Sequence, residues 1–252
     1  MDPILLNLGP LQIRYYGVLF ALAFLTGYFI LRKLAKEEKI DLELIDDYFI
    51  YIFFGIVLGA RLGEILFYEP GYYFSNPAEM LYIWHGGLSS HGAFIGGIIA
   101  TLLFCRIHKV KFYKIADLVV IPIALGSVFI RIGNFINGEI VGRITDIPWA
   151  MKFEGYEGLR HPSQIYEAVM NFSVFLILLS IRRLKKIPEG FVFWSFIFIY
   201  SFFRFFIEFF KDYQTWDRYM VLTAGQYFSI VLLLVSGYFF ATKYRKFLKD
   251  LF

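Results

Sequence analysis

Seven apolar runs, most of them near the length of a membrane span, constrain this chain more than any other feature of its sequence. They lie near residues 13–31, 47–67, 88–105, 115–130, 163–181, 190–210 and 222–242. A membrane hydrocarbon core about 30 Å thick takes roughly 20 apolar residues of helix. Hydrophobic residues form 58% of the chain, well above the share in a soluble domain. The sequence therefore predicts an all-α polytopic membrane helix bundle with seven transmembrane helices.

Basic residues near the ends of these runs predict the orientation of the chain, because lysine and arginine stay on the cytoplasmic side. The segments after runs one, three, five and seven each carry four of them. These are Arg32, Lys33, Lys36, Lys39, Arg106, Lys109, Lys111, Lys114, Arg182, Arg183, Lys185, Lys186, Lys243, Arg245, Lys246 and Lys249. We therefore expect the N-terminus outside and the C-terminus in the cytoplasm. The net charge of +4 follows from this topology and from lipid head groups, so we expect no nucleic-acid binding.

The chain has neither a clear internal repeat nor a low-complexity segment, which favours one domain. Its single cysteine, Cys105, excludes an internal disulfide. We expect one integral membrane domain over residues 1–252, with a small extracytoplasmic elaboration at about 131–162.

Polar residues lie toward the predicted outer ends of six of the seven runs. They are Tyr16, Arg61, His91, Arg131, Tyr166, Glu167 and Arg204. A charge at bilayer depth costs at least about 2.5 kcal/mol, so such residues normally face a cavity and mark function. The pattern predicts a polar cavity that opens toward the outer leaflet.

Some of these charges also have a purely structural interpretation. Arg204 and Glu208 are one helical turn apart and are suited to an ion pair that holds the sixth span in place. Arg61 and Glu64 have a similar spacing, and the glycines at 55, 59 and 63 indicate close helix packing. For both pairs, a structural role and a role in the predicted cavity remain alternatives.

Two segments with mixed polar and small residues precede predicted helices. WHGGLSSHGAFIGG, residues 84–97, is typical of a re-entrant or tightly turned backbone. Of its two histidines, His91 is a better candidate than His85 for a base or proton donor. RHPSQIYE, residues 160–167, begins the fifth span, and capping of that helix alone accounts for much of its pattern.

The segment RIGNFINGEIVGR, Arg131 to Arg143, predicts an anion site at the membrane surface. Arg131 can hold a phosphate through two hydrogen bonds. Asn134 and Asn137 can donate and accept, which suits a phospholipid head group, and Glu139 would orient an arginine. The glycines at 133, 138 and 142 permit sharp turns near a ligand. The alternative is a solvated polar loop.

RIGNFINGEIVG resembles the signature segment of the bacterial prolipoprotein diacylglyceryl transferases, and further segments resemble that family in the same order. They are IRYYG at 13–17, GARLGEILFY at 59–68, the segment at 84–97, RHPSQIYE, FRFFIEFF at 203–210 and AGQYFS at 224–229. The family is a seven-span enzyme of the bacterial cytoplasmic membrane with its N-terminus outside. The resemblance therefore implies a multi-pass inner-membrane protein whose active site faces the outer leaflet.

The resemblance implies transfer of the diacylglyceryl group of phosphatidylglycerol to the lipobox cysteine of prolipoprotein signal peptides, which releases glycerol phosphate. By motif position, the functional residues fall on Tyr16, His91, Arg131, Asn134, Glu139, Gly142, Arg204 and Glu208. From the pattern of polar residues we add Arg61 and Asn137 to the substrate-binding set. We expect no cofactor, because the reaction needs no metal and the sequence offers no ligand set for one.

This reaction needs an ionised thiol and a stabilised phosphate leaving group. We predict that Arg131 binds the lipid phosphate, that Arg204 held by Glu208 stabilises its departure, and that His91 or Tyr16 manages the thiol proton. Two other classes remain open at this point. One is a transporter or channel with an outward-facing vestibule for anionic substrates, and the other is a non-catalytic lipid-binding scaffold.

Overall fold

The computed structural model describes residues 3–8, 11–212 and 221–251. The helices in these ranges are α1 (Tyr15–Glu37), α2 (Leu42–Gly63), α3 (Pro70–Ser75), α4 (Ser90–Ile107), α5 (Phe112–Asn137), α6 (Ser163–Ile181), α7 (Phe191–Ile207), α8 (Ala224–Ala241) and α9 (Arg245–Leu251). All but α3 and α9 are long and apolar enough to cross a membrane. The predicted all-α, seven-span class is confirmed, and the orientation of the termini stays a prediction.

Shorter elements extend or connect these helices. A π-helical turn at Glu64–Tyr68 continues α2, and a 3₁₀ turn at Glu208–Phe210 continues α7. Two more 3₁₀ turns, Pro77–Leu81 and Ile83–His85, follow α3. The strands β1 (Ile4–Leu8) and β2 (Leu11–Arg14) form an antiparallel hairpin before α1, which is not among the predicted elements.

The chain divides into two compact units. The first unit consists of Met1–Leu31 and Ala116–Phe252, and the second unit is Arg32–Ile115. In the first unit α7 packs against both α6 and α8, and in the second unit α2 packs against α4.

Glycines let α2 and α4 approach each other closely in the second unit, as the predicted packing seam requires. A Cβ atom added to Gly59 would lie 2.7 Å from the Cα of Gly96, and one added to Gly63 would lie 2.8 Å from the Cα of Gly92. The two backbones are therefore in direct contact, which only glycine permits. Deeper along the pair, the buried Tyr48 hydroxyl and Thr101 Oγ1 share a hydrogen bond of 3.0 Å.

A carboxylate of one helix caps another in the first unit. Asp117, near the start of α5, accepts hydrogen bonds from the backbone amides of Gly190 at 2.6 Å and Phe193 at 2.7 Å. These amides begin α7, where the first turn has no intrahelical acceptors. Asp117 thus fixes the start of α7, the helix that carries Arg204 at its other end.

Helix α5 is longer than predicted, and this changes the setting of the signature segment. It ends at Asn137, so Arg131 and Asn134 lie on a helix and the connecting loop begins at Gly138. The predicted turn at Gly133 is wrong, because this glycine lies within the helix. A Cβ atom there would be 2.8 Å from Cδ2 of Tyr16, so Gly133 makes room for the tyrosine ring.

Candidate active site

Three cationic side chains of the first unit converge on one buried carboxylate, Glu167 of α6. Only 1% of the Glu167 side chain is exposed. Arg131 Nε lies 2.5 Å from its Oε2, Lys211 Nζ lies 2.9 Å from its Oε1, and Arg204 Nη1 lies 3.7 Å from Oε1. Arg204 also forms an ion pair with Glu208, as its spacing predicted. We call these five residues the cationic cluster.

The cationic cluster carries an excess of positive charge. Within its five members, three cations face two carboxylates, which leaves one net positive charge. The Arg131 side chain is 23% exposed, against 16% for Arg204 and 14% for Lys211. A partly exposed arginine backed by two more deeply placed cations is suited to bind an anion.

A second row of polar groups supports Arg131 from its own helix. Arg131 Nη1 donates to Asn134 Oδ1 at 3.2 Å, and Asn134 Nδ2 donates to Glu139 Oε1 at 2.8 Å. Asn137 Nδ2 reaches the same carboxylate oxygen at 3.3 Å. Asn134 is buried and uses both ends of its amide, so it positions Arg131. Glu139 is predicted to orient an arginine. It contacts Asn134, which in turn contacts Arg131, so any such effect on Arg131 passes through Asn134.

The start of α6 holds the loop that carries Glu139. Ser163 Oγ donates to the carbonyl of Ile140 at 2.9 Å, and Gln164 Nε2 donates to the carbonyl of Glu139 at 2.7 Å. Ile140 has a φ of 57°, a left-handed conformation that is costly for a β-branched residue. The predicted capping role of this motif is therefore wrong: its side chains fix a strained loop and, at Glu167, gather the cations.

Gly142 takes part in backbone contacts, and its place in substrate binding stays a prediction. Its amide donates to the carbonyl of His161 at 3.0 Å, and its carbonyl accepts from Arg160 Nη1 at 3.1 Å. A Cβ atom would lie 2.5 Å from the carbonyl oxygen of Phe210. Gly142 permits the loop to pass beside the backbone of Lys211, with which it forms an isolated β-bridge.

Lys211 follows directly after the 3₁₀ turn that ends α7. Burial lowers the pKa of its ammonium group below the ordinary range, the nearby Arg204 charge adds to the shift, and Glu167 opposes it. Arg160, whose guanidinium donates to Asp212 Oδ2 at 2.8 Å, holds the chain after Lys211. The Lys211 side chain is thus held in a desolvated place beside Glu167.

Nearby, His161 and Tyr166 form a separate aromatic contact at the start of α6. His161 Nδ1 and the Tyr166 hydroxyl are 3.1 Å apart, and Trp149 Nε1 donates to the same hydroxyl at 2.8 Å. Burial lowers the pKa of His161, and the Arg143 charge adds to the effect. Both effects favour the neutral imidazole of His161.

Arg61 of the second unit makes contacts that fix the local backbone, and its place in the substrate-binding set stays a prediction. It is 5% exposed. Its guanidinium donates to the Tyr73 hydroxyl and to backbone carbonyls between α2 and α4, which belong to Glu79, Met80, Tyr82, Gly86 and Gly87. A guanidinium has five N–H donors, so these contacts occupy it fully. Arg61 fixes the segment that leads to His91.

The two predicted proton carriers lie in different units. His91 is the second residue of α4 in the second unit, is exposed, and shares a 2.8 Å hydrogen bond between its Nδ1 and the Tyr68 hydroxyl. Tyr16 is the second residue of α1 in the first unit and is half-buried against Gly133. It interacts electrostatically with Arg131 and Glu139.

Two residues of the cationic cluster, Glu167 and Lys211, are not among the predicted site residues. In the sequence Glu167 is a polar residue of the fifth span, and capping accounts for it. Lys211 lies at the end of a span, where a lysine is ordinarily explained by topology. The signal was present, because Arg204, Glu208 and Lys211 are spaced as i, i+4 and i+7 and so share one helix face.

The fold and this cluster define a multi-pass membrane protein with a largely buried cationic site where α5 and α7 end and α6 begins. A sequence profile of the prolipoprotein diacylglyceryl transferase family matches residues 3–242. The chain belongs to this family. The match favours the transferase interpretation over a transporter, a channel or a scaffold.

Curated relatives agree with the profile. A phosphatidylglycerol–prolipoprotein diacylglyceryl transferase of Tolumonas auensis is 44% identical over 239 residues, with 93% of each chain covered. The protein of that name from Geobacter sulfurreducens is 43% identical over 216 residues, with 84% of this chain and 83% of the relative covered. The one from Bacteroides fragilis is 37% identical, with 94% and 92% covered.

Proposed function

We propose that this chain transfers the diacylglyceryl group of phosphatidylglycerol to the lipobox cysteine of prolipoprotein signal peptides. The relatives' names supply the reaction, and the cationic cluster is the observation that supports it in this chain. A desolvated site with excess positive charge at the end of membrane helices suits the phosphate of a lipid. The reaction joins the cysteine sulfur to the glycerol carbon as a thioether and releases glycerol phosphate.

Arg131 binds the lipid phosphate in this proposal. It is the most exposed cation of the cluster, and Glu167 and Asn134 fix its guanidinium from two sides. A phosphodiester oxygen competes well for the remaining N–H groups because arginine recognises phosphate through paired hydrogen bonds. Asn137 and Glu139, both exposed beside Arg131, are placed to contact the glycerol hydroxyl groups.

Arg204 and Lys211 stabilise the leaving group. Negative charge grows on the bridging oxygen as the bond between phosphate and glycerol carbon breaks. Preorganised charges in a desolvated site are worth most at that moment, typically about 10²- to 10³-fold in rate for one donor. Glu208 holds Arg204, and Glu167 holds Lys211, so neither side chain must reorganise during the reaction.

The thiol must lose its proton before it attacks, since the thiolate is the nucleophile. His91 is the proposed acceptor of that proton, because histidine is the side chain that most often serves as a general base. Tyr16 is the alternative carrier in the first unit. Replacement of His91 by glutamine separates the two: near-normal turnover between pH 6 and pH 9 would exclude the histidine.

We place the enzyme in the bacterial cytoplasmic membrane, with its N-terminus outside and its active site toward the outer leaflet. The four basic segments described above support this orientation. In this proposal phosphatidylglycerol reaches the site from the bilayer itself.

The test is mass spectrometry of a lipobox peptide incubated with the purified protein and vesicles that contain phosphatidylglycerol. We expect a diacylglyceryl mass gain on the peptide, and no gain on a peptide whose cysteine is replaced by serine. Arg131→Ala should abolish the gain. Arg183→Ala, an exposed arginine at the far end of α6, is the matched control and should keep it.

One further variant tests how Arg131 binds the lipid phosphate, and melting temperatures show whether each variant is folded. Arg131→Lys keeps the charge but loses paired hydrogen bonding, so its activity should lie between wild type and Arg131→Ala. Each variant is checked by its melting temperature in detergent. Folded wild-type protein that yields no mass gain with this lipid present would contradict the transferase proposal.

A further inference from the structure

The second unit contains a histidine–tyrosine pair that the proposed reaction uses only in part. We propose that Tyr68 is a positioning residue for His91: its hydroxyl group holds Nδ1 and leaves Nε2 as the nitrogen that exchanges the proton of the substrate thiol. This inference rests on the proposed transferase function. It concerns only how the second unit presents His91.

The geometry of the pair supports an orienting role. The Tyr68 hydroxyl lies 2.8 Å from Nδ1 of His91, and the two rings are nearly parallel, with an interplanar angle of 16° and centroids 6.5 Å apart. Tyr68 is 55% exposed and His91 is also exposed, so neither ring serves mainly to fill a core. A directed hydrogen bond between two exposed rings fixes one of them in a defined rotation.

A local departure from α-helix brings Tyr68 to this place. Helix α2 ends at Gly63, and the chain continues as a π-helical turn in which the amide of Glu69 donates to the carbonyl of Glu64 at 3.0 Å. A π turn inserts an additional residue, so the side chains after it point in a different direction from those of a continuous α-helix. Such turns occur often at functional sites.

The backbone under His91 is fixed to the same helix. Ser89 Oγ accepts from the amide of Gly92 at 3.1 Å and so caps α4, while the Ser89 amide donates to the carbonyl of Ala60 at 3.0 Å. Gly63 and Gly92 are in backbone contact at this level. Both partners of the pair thus have defined backbones, and the hydrogen bond adds the last constraint on the imidazole.

The proposed proton transfer requires one particular tautomer of His91. Nε2 can accept the thiol proton only when Nδ1 carries the ring hydrogen, so Nδ1–H donates to the Tyr68 oxygen before the transfer. The thiolate then forms the carbon–sulfur bond as the carbon–oxygen bond to phosphate breaks. The imidazolium keeps its Nδ1–H bond to Tyr68 and passes the Nε2 proton to the released glycerol phosphate.

The first experiment compares Tyr68→Phe with Tyr72→Phe, which removes a hydroxyl from a half-exposed tyrosine of α3. Loss of the Tyr68 hydroxyl should lower kcat about 10- to 100-fold and leave KM for phosphatidylglycerol unchanged, since orientation is lost while lipid binding is kept. Tyr72→Phe should match wild type. The double variant Tyr68→Phe, His91→Gln should be no slower than His91→Gln alone.

The second experiment is ¹⁵N NMR of the histidine-labelled protein, with His91→Gln used to assign the signal. We expect the neutral ring of His91 to carry its hydrogen on Nδ1 in wild type and to show a tautomer mixture in Tyr68→Phe. Hydrogen on Nε2 in wild type would overturn the proposal, and so would equal kcat values for the two phenylalanine variants. Wild-type protein that transfers nothing would instead overturn the transferase function beneath it.

Discussion

Arg131 Nε lies 2.5 Å from Oε2 of Glu167, and this contact joins two motifs that are far apart in the sequence. Arg131 belongs to the signature segment on α5, whereas Glu167 belongs to RHPSQIYE on α6. The same carboxylate reaches Lys211 through its other oxygen. Glu167 therefore holds together the cations of the proposed phosphate site.

Replacement of Glu167 by glutamine should damage both stability and activity. The substitution leaves three partly buried cations with Glu208 as their only partner within the cluster. Removal of one member of a buried ion pair costs about 3–5 kcal/mol. We expect a clearly lower melting temperature in detergent and a large loss of transfer in the peptide assay.

Glu43→Gln is the matched control for this prediction. Glu43 is an exposed carboxylate in the first turn of α2, and its loss should change neither property measurably. Equal melting temperatures for the two variants would show that Glu167 contributes little to the cluster.

Gly225→Ala should displace Arg204 indirectly, through the carboxylate of Glu208. A Cβ atom at Gly225 would lie 2.8 Å from Oε1 of Glu208, so the carboxylate that holds Arg204 must move. We expect kcat to fall at least about tenfold, because misplaced groups lose much of their transition-state stabilisation. Gly237→Ala on the same helix meets nothing within 4 Å and should keep wild-type kcat. A normal kcat for both variants would separate Glu208 from catalysis.

Local and periodic features of this protein were predictable from sequence. The seven spans follow from apolar length, and the Arg204–Glu208 pair follows from helical spacing. A close-packing face on α2 follows from its glycines at four-residue intervals, although the partner helix does not. Each of these depends on residues that are near neighbours along one helix or on composition alone.

Features that depend on contacts between distant segments were not predictable. In the sequence Arg61 is an intramembrane charge without an obvious partner. In the fold, backbone carbonyls 18 to 26 residues later accept its hydrogen bonds. Glu167 is a plausible capping residue until the fold brings Arg131 and Lys211 to it. One sequence cannot report such convergence, because the partners have no fixed spacing.

The alkaline limit of activity should depend on Lys211. Its lowered pKa means that it loses its charge at a lower pH than an exposed lysine, whose pKa is about 10.4. Lys211→Arg keeps the charge at high pH, so the alkaline fall of kcat/KM should move upward in this variant. Lys152→Arg, at an exposed position, is the control and should leave the profile unchanged.

Stability should change in the opposite direction over the same pH range. Between the lowered folded pKa of Lys211 and its unfolded value, the unfolded chain binds more protons than the folded one. The free energy of unfolding therefore rises with pH through this window while activity falls. Denaturation curves at several pH values would detect the rise, and its loss in Lys211→Arg would assign it to this residue.

Asp117→Ala should destabilise the first unit from the end opposite to the cationic cluster. The substitution leaves the amides of Gly190 and Phe193 without their acceptor at the start of α7. Loss of a helix cap typically costs about 0.5–2 kcal/mol. The melting temperature should fall, and Asp47→Ala, at an exposed position on α2, should not lower it. An unchanged melting temperature for Asp117→Ala would mean that water replaces the carboxylate at no cost.

Gly96→Ala and Gly97→Ala, at adjacent positions on α4, should have opposite outcomes. A Cβ atom at Gly96 would lie 2.8 Å from the Cα of Gly59 and 3.1 Å from the carbonyl carbon of Gly55, so α2 must move away. At Gly97 the nearest atoms are the flexible ends of Ile52 and Ile56, at 3.4 and 3.5 Å. Overpacking costs about 1–3 kcal/mol, so only Gly96→Ala should lower the melting temperature. Tyr68 lies on the turn that continues α2, and His91 lies at the start of α4. Separation of the two helices should therefore also weaken the hydrogen bond between Tyr68 and His91 and reduce kcat.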